Sequence, residues 1–237
     1  MSSTNRRATW VTDKCNIALA LASGQLDAGY SEASILICAM LNALAAEAWP
    51  GRRIDHPRFV EVLVKMTSSS PSPAHVSVPL LVQDLQVRLL TNEADTLMRA
   101  LMPFGTALVI TGSDVDKSES ELLSICPTIP IDCLRKNSYA CLLYEDVRSS
   151  YAHEYRSGSR SDPLPMTMLS NQCVSYVNKI TERRVHFHVE WLACLAIEIA
   201  EKLDELDATL PLPIPDPWWV KYVPSQQIAN SQLKCPT

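Results

Sequence analysis

The chain has 237 residues, 47% of them apolar and 20% charged, with a formal net charge of −5 at pH 7. That is the composition of an ordinary globular protein, long enough to bury a core without a disulfide or metal staple, and one domain over residues 1–237 is the default expectation. The mild acidity argues against nucleic-acid binding through net charge alone. However, residues 190–207 hold six acids and one lysine, which equals the whole net charge, so the remainder is neutral and able to hold a basic site. The opening MSSTNRRATWVTDK lacks the apolar core of a signal peptide. The apolar runs at 35–48 and 189–200 read as too short and too interrupted to span a bilayer, so a cytoplasmic protein with no membrane partner is expected. The eight cysteines form no CxxC pair and fall mostly in apolar stretches, as reduced core thiols do.

Taken in chain order, residues 14–23 and 31–49 read as helices, the second capped by Ser31, stopped by Pro50-Gly51 and apolar around most of its circumference. A third helix is expected over 57–66, with Asp55 as its cap. Breaker chemistry in TSSSPSPAHVSVP predicts a loop at 67–79. Residues 80–90 fit helix or strand, 92–102 fit helix, and TALVIT at 106–111 fits a short strand. Ser118 to Glu121 has the S-x-x-E form of a capping box, opening a short helix closed by Pro127. A helix over 137–156 follows. Residues 173–179 and 183–189 alternate, predicting a β-hairpin that turns at Thr181-Glu182, with Arg184, His186 and His188 on its polar face. The last helix runs over 190–206, and the Pro-rich tail at 208–237 is irregular, anchored by Trp218 and Trp219.

Within LLYEDVRSSYAHEYR, residues 142–156, Arg148 and His153 stand in an R-x4-H arrangement with Tyr155 two further on. This run resembles the R-x4-6-H motif of HEPN domains, the helical domains named for higher eukaryotes and prokaryotes nucleotide-binding, many of which are ribonucleases of toxin-antitoxin, anti-phage and CRISPR systems. The extended form, Arg148, His153 and Tyr155, is similar to that of HEPN toxins paired with a nucleotidyltransferase antitoxin. Ser149 stands where the family often has Asn, Asp or His. A second R-x4-H pair, Arg183 and His188, lies in β-like sequence without the tyrosine and is set aside. The resemblance covers the helices in 14–66, the motif helix and the last helix. It implies a mainly α fold, a HEPN-like antiparallel bundle with a small β-hairpin before the last helix. Residues 67–117 would then be an insertion, for which, as for the tail, no family assignment is made.

The residue types suit metal-independent RNA cleavage by the substrate's own 2′-hydroxyl, with no cofactor. His153 would move the proton and Arg148 would stabilise charge on phosphorus with its forked guanidinium. Five residues on a regular helix are roughly 140° apart, so the two converge only if the helix unwinds or a second subunit contributes. The resemblance implies the latter: a homodimer with both motifs lining one cleft. It also implies that Ser149 and Tyr155 support or regulate the site, with Tyr155 as the position modified by nucleotide transfer. Tyr155 would share the arginine's face if the helix persists. Residues 135–160 carry five basic and three acidic residues, and Arg156, Arg160 and Arg184 are the candidate RNA contacts.

Other candidates read more simply. His186 and His188 could begin a metal site but lack further ligands, and no metal is expected. Asp114 and Asp116 are expected to be solvated loop acids, and Cys133 and Cys141 structural thiols. The competing functional reading is a catalytically silent HEPN-like module that holds nucleotide or recruits a protein, and it calls for a buried, internally bonded His153.

Overall fold

Helix α1 (Arg6–Ala22) starts eight residues before the apolar run that predicts it, because its first turn is held from the far end of the chain. The structure, a computed structural model, describes residues 5–25, 29–101, 109–162, 173–178 and 183–213. Within it the Arg7 and Ala8 amides donate to the Asp204 carboxylate at 3.2 and 3.0 Å. The Arg7 guanidinium bridges Glu47, Asp204 and Asp207. Free amides at a helix start need such acceptors, and a carboxylate there also suits the helix dipole.

Helix α2 (Tyr30–Ala48) lies against α1, α3 (Asp55–Met66) and α11 (Val189–Glu205). Ile37, Leu41, Leu44 and Ala45 are fully or nearly fully enclosed. Its cap is Gly29 rather than Ser31: the Glu32 carboxylate reaches back to the Gly29 amide at 2.8 Å. By length and composition α2 is long and apolar enough to cross a membrane, and half of it is buried inside this protein. Asp55 is the first residue of α3 rather than its cap.

The apolar residues form two clusters. The larger joins α1, α2, α3, α11 and the helix carrying the motif to the sheet. The smaller is built from Val78, Leu81, Leu85, Leu97, Leu122 and Leu134 with their neighbours. It comes from α4 (Val78–Val87), α5 (Thr91–Leu101), α7 (Glu119–Ile125) and α8 (Ile131–Lys136). Of residues 80–90, ambiguous by pattern, 80–87 are therefore helical, and Ser77 caps the helix by accepting from the Leu80 amide. The capping box at Ser118 forms as its spacing predicts. Helix α8 has no counterpart among the sequence expectations, and Ser138 starts a new helix after it by capping the Cys141 amide.

The hairpin of β2 (Val174–Asn178) and β3 (Arg183–Phe187) is present, with Tyr176 opposite Val185. It gains a third antiparallel strand, β1 (Val109–Thr111), pairing Ile110 with Tyr176. The expected polar face of β3 is a correction: His186 and His188 are buried. The Tyr30 ring of α2 lies 4.6 Å from that of His186, and its hydroxyl donates to the Phe187 carbonyl at 2.8 Å. On the other side Phe187 stacks on Trp191. Burial holds both histidines below the usual imidazole range, His186 at about 4. The hairpin turn at 181–182, Lys179 and the tail with Trp218 and Trp219 lie outside the described residues.

Asp116 corrects a second expectation. It ends the short helix α6 (Gly112–Val115) and is buried rather than solvated. Its Oδ2 accepts the hydroxyls of Tyr139, on the motif helix, and Tyr176, on β2. Its Oδ1 accepts the Val78 amide at the start of α4 at 2.8 Å. One carboxylate thus joins the sheet and both apolar clusters. Burial pushes its pKa from 3.8 to about 7, against the pull of the two tyrosines and the amide. A carboxyl that keeps its proton longer when folded contributes stability that is whole below about 3.8 and is lost as pH rises through about 7. The difference in unfolding free energy between wild type and Asp116→Asn, followed by urea denaturation, is expected to shrink across that window by up to about 1.4 kcal/mol per pH unit.

Candidate functional site

The motif lies on one continuous helical rod whose winding changes along its length. It starts as α9 (Tyr139–Leu142), widens into a π turn (Leu143–Ser149) and returns to α10 (Ser150–Glu154). In the π turn backbone bonds reach back five residues, a geometry frequent at functional sites. The rod ends at Tyr155, whose backbone turns left-handed at φ 52° while its amide closes on the Tyr151 carbonyl at 3.2 Å.

Arg148 ends up over an aromatic ring. Its guanidinium carbon is 5.2 Å from the centroid of Tyr144, one turn earlier. Tyr144 stacks at 4.4 Å on His56, from the first turn of α3, and meets Phe59 edge-on. The cation gains from the ring quadrupole, and the ring is fixed from its other contacts. Burial lowers the His56 imidazole and raises the Tyr144 phenol. Tyr144 was legible in principle as the i−4 neighbour of Arg148, but His56 comes from a distant segment with no local signal.

The acids beside Arg148 in sequence are taken by another arginine. The Arg160 Nη2 lies 2.6 Å from Glu145 and 2.6 Å from Asp146, the latter a close charge pair rather than an aligned hydrogen bond. The loop following the rod folds over Asp146: the Gly158 amide donates to the Asp146 carbonyl at 2.8 Å, as does the Ser161 hydroxyl at 2.9 Å. A Cβ on Gly158 would run into Asp146, so this close approach requires glycine. Arg148 itself makes no ion pair among the described residues.

The other candidate residues are spread along the rod and the loop. His153 is exposed on the last turn of α10 and has no hydrogen bond or ion pair among the described residues. No direct bond joins it to Arg148. Ser149 is half-buried at the junction of the π turn and α10. Tyr155 does not share the arginine's face, because the helix stops one residue before it. Its hydroxyl instead donates to Glu32 of α2 at 2.5 Å, which raises the phenol and lowers the Glu32 carboxyl. Arg156 is exposed and pairs with Glu154 at 2.6 Å. Arg160, expected at RNA, is instead partly enclosed and committed to Glu145 and Asp146. Arg184 is half-buried on β3 and makes no ion pair among the described residues. The hairpin does lie alongside the motif loop, with the Val185 amide donating to the Arg160 carbonyl and the Asp162 amide to the Val185 carbonyl, both at 2.9 Å. Cys133 and Cys141 are buried thiols raised by burial to about 11 and about 12. Among the described residues no group of three metal-ligating side chains converges.

Compared with family models, curated proteins and solved structures, the chain matches none.

Arg160→Gln strands Asp146, which is only 5% exposed, without its cation. Removing one partner of such a pair is expected to cost about 3 kcal/mol in urea denaturation. A further Asp146→Asn substitution is expected to recover part of that loss. No destabilisation by Arg160→Gln would contradict the structural role given to this arginine.

Proposed function

We propose that the chain is a HEPN-type, metal-independent endoribonuclease that works as a homodimer, in bacterial defence or as a toxin held by an antitoxin. The observation that carries this reading is the state of Arg148. In a segment rich in acids its guanidinium has no carboxylate partner among the described residues, because Arg160 occupies Glu145 and Asp146. Its planar fork is held against Tyr144 and remains open to a phosphate.

In this reading Arg148 stabilises charge on the phosphorane and His153 moves the proton of the 2′-hydroxyl or of the leaving oxygen. Because the rod does not unwind between them, the two groups act together through a second copy of the chain, each subunit giving one motif to a shared cleft. The silent-module reading calls for a buried His153 bonded within its own chain, and the exposure of this histidine disfavours it. Tyr155 is exposed at the end of the rod, which supports modification of its phenol, here bonded to Glu32, by a nucleotidyltransferase partner. Arg156, on the same loop, is the surface cation that supports RNA contact.

The test is cleavage of labelled single-stranded RNA and tRNA in excess chelator by wild type, Arg148→Ala and His153→Ala at equal folded concentration. Wild type is expected to cut, and each variant to lose about a hundredfold or more. Equal cutting by all three, or no cutting by a folded, dimeric wild type, would overturn the proposal.

A further inference from the structure

A second site lies at the opposite end of the motif rod, where the 70–75 loop, α6 and the first turn of α7 enclose a cavity of about 420 Å³. Its walls are tied to one another by backbone bonds. The Val76 amide donates to the Lys117 carbonyl, the Tyr139 amide to the His75 carbonyl and the Ala140 amide to the Pro73 carbonyl, each at 2.9 Å. Gly112 keeps the floor open. A Cβ there would stand 2.6 Å from the Tyr139 hydroxyl and 2.9 Å from Asp116 Oδ2, so any side chain would push into the carboxylate and phenol that form the base.

The hydrogen-bonding capacity around this cavity is lopsided. The acceptors at the base are used: Asp116 takes two phenols and the Val78 amide. Glu121, at the rim, accepts the Ser118 amide and hydroxyl at 2.8 and 2.6 Å through Oε2. The donors make no direct bond: the side chains of Lys117 and His75 have no hydrogen bond or ion pair among the described residues, and both act on Glu121 through longer-range charge. His75 is held in place by its ring, stacked 6.3 Å from Tyr139. A cavity tied together by backbone bonds, whose spare groups are cationic or donating, fits an anion. The types of donor also favour one kind of anion. The Lys117 ammonium, the His75 imidazole and the Ser70 hydroxyl are single-point donors in the lining, a type suited to tetrahedral oxygens. Among the described residues the lining contains no arginine fork, the group best matched to a flat carboxylate.

We propose that this cavity binds a small phosphomonoester, of sugar-phosphate size, through Lys117 and His75. The site is separate from the arginine of the motif and does not depend on the ribonuclease reading. Among the described residues two carboxylates line the cavity: Asp116 at the base, bonded to two phenols and an amide, and Glu121 at the rim, bonded only to Ser118, so neutralising Glu121 strengthens binding.

Titration calorimetry with ribose 5-phosphate, ribose and inorganic phosphate on the full chain tests the assignment. Ribose 5-phosphate is expected to bind and ribose not to. Lys117→Gln is expected to weaken ribose 5-phosphate by about tenfold, the loss of one charge-assisted contact. Glu121→Gln, which keeps its cap on Ser118, is expected to tighten it, and Arg148→Ala to leave it unchanged. Thermal melting checks that each variant is folded, and the gain in Glu121→Gln cannot come from misfolding. The proposal is overturned if neither phosphate probe binds, if ribose binds as well as its phosphate, or if Arg148→Ala rather than Lys117→Gln removes binding.

Discussion

Two buried carboxylates clamp the motif helix, and the first of them, Asp116, fixes the rest of the architecture. By accepting from Tyr139, Tyr176 and the Val78 amide it ties the start of the motif rod, the middle strand and the first turn of α4 to one point. The sheet and the two apolar clusters meet there. A buried carboxylate with three donors costs far less than one left unpaired, and removing any of the donors exposes that cost. The tyrosines are committed as well, since burial and the adjacent carboxylate hold both phenols well above their usual range.

Asp146 secures the other part of the rod. It draws in Arg160 and, through its backbone carbonyl, the 158–161 loop, which in turn pairs with β3. The functional consequence is indirect. Because Arg160 satisfies the two acids of the π turn, the arginine of the motif faces an aromatic ring rather than a carboxylate. The ring is steadied by His56 and Phe59 from α3, so the position of Arg148 depends on a helix nearly a hundred residues upstream. The Arg148 guanidinium is thus positioned by packing and has no carboxylate partner among the described residues.

Much of the helical content was legible in the residues because amphipathic spacing and capping chemistry are local. The stripes of α2, α3 and α11, the S-x-x-E box at Ser118 and the antiparallel pairing of 174–178 with 183–187 all read correctly. What escaped depends on distant partners. The first turn of α1 is polar and is explained only by Asp204. His186 and His188 alternate like a solvated face, yet Tyr30 covers that face from α2. Asp116 looks like a loop acid until Tyr139 and Tyr176 are brought to it by tertiary structure. At the site, the motif spacing points to Arg148, but neither the π turn nor the exchange of acids with Arg160 leaves a signature in sequence, and the helix ends at Glu154, so the persistence on which the placement of Tyr155 depends is not met.

The central claim is that Arg148 and His153 promote attack by the RNA's own 2′-hydroxyl. The most direct measurement is the chemistry of the ends left when wild type cuts a single-stranded RNA in excess chelator. The account predicts a 2′,3′-cyclic phosphate on one fragment and a 5′-hydroxyl on the other, with no cut at a position where the 2′-hydroxyl is replaced by hydrogen. A 5′-phosphate end, or cleavage that persists at the 2′-deoxy position, would contradict it.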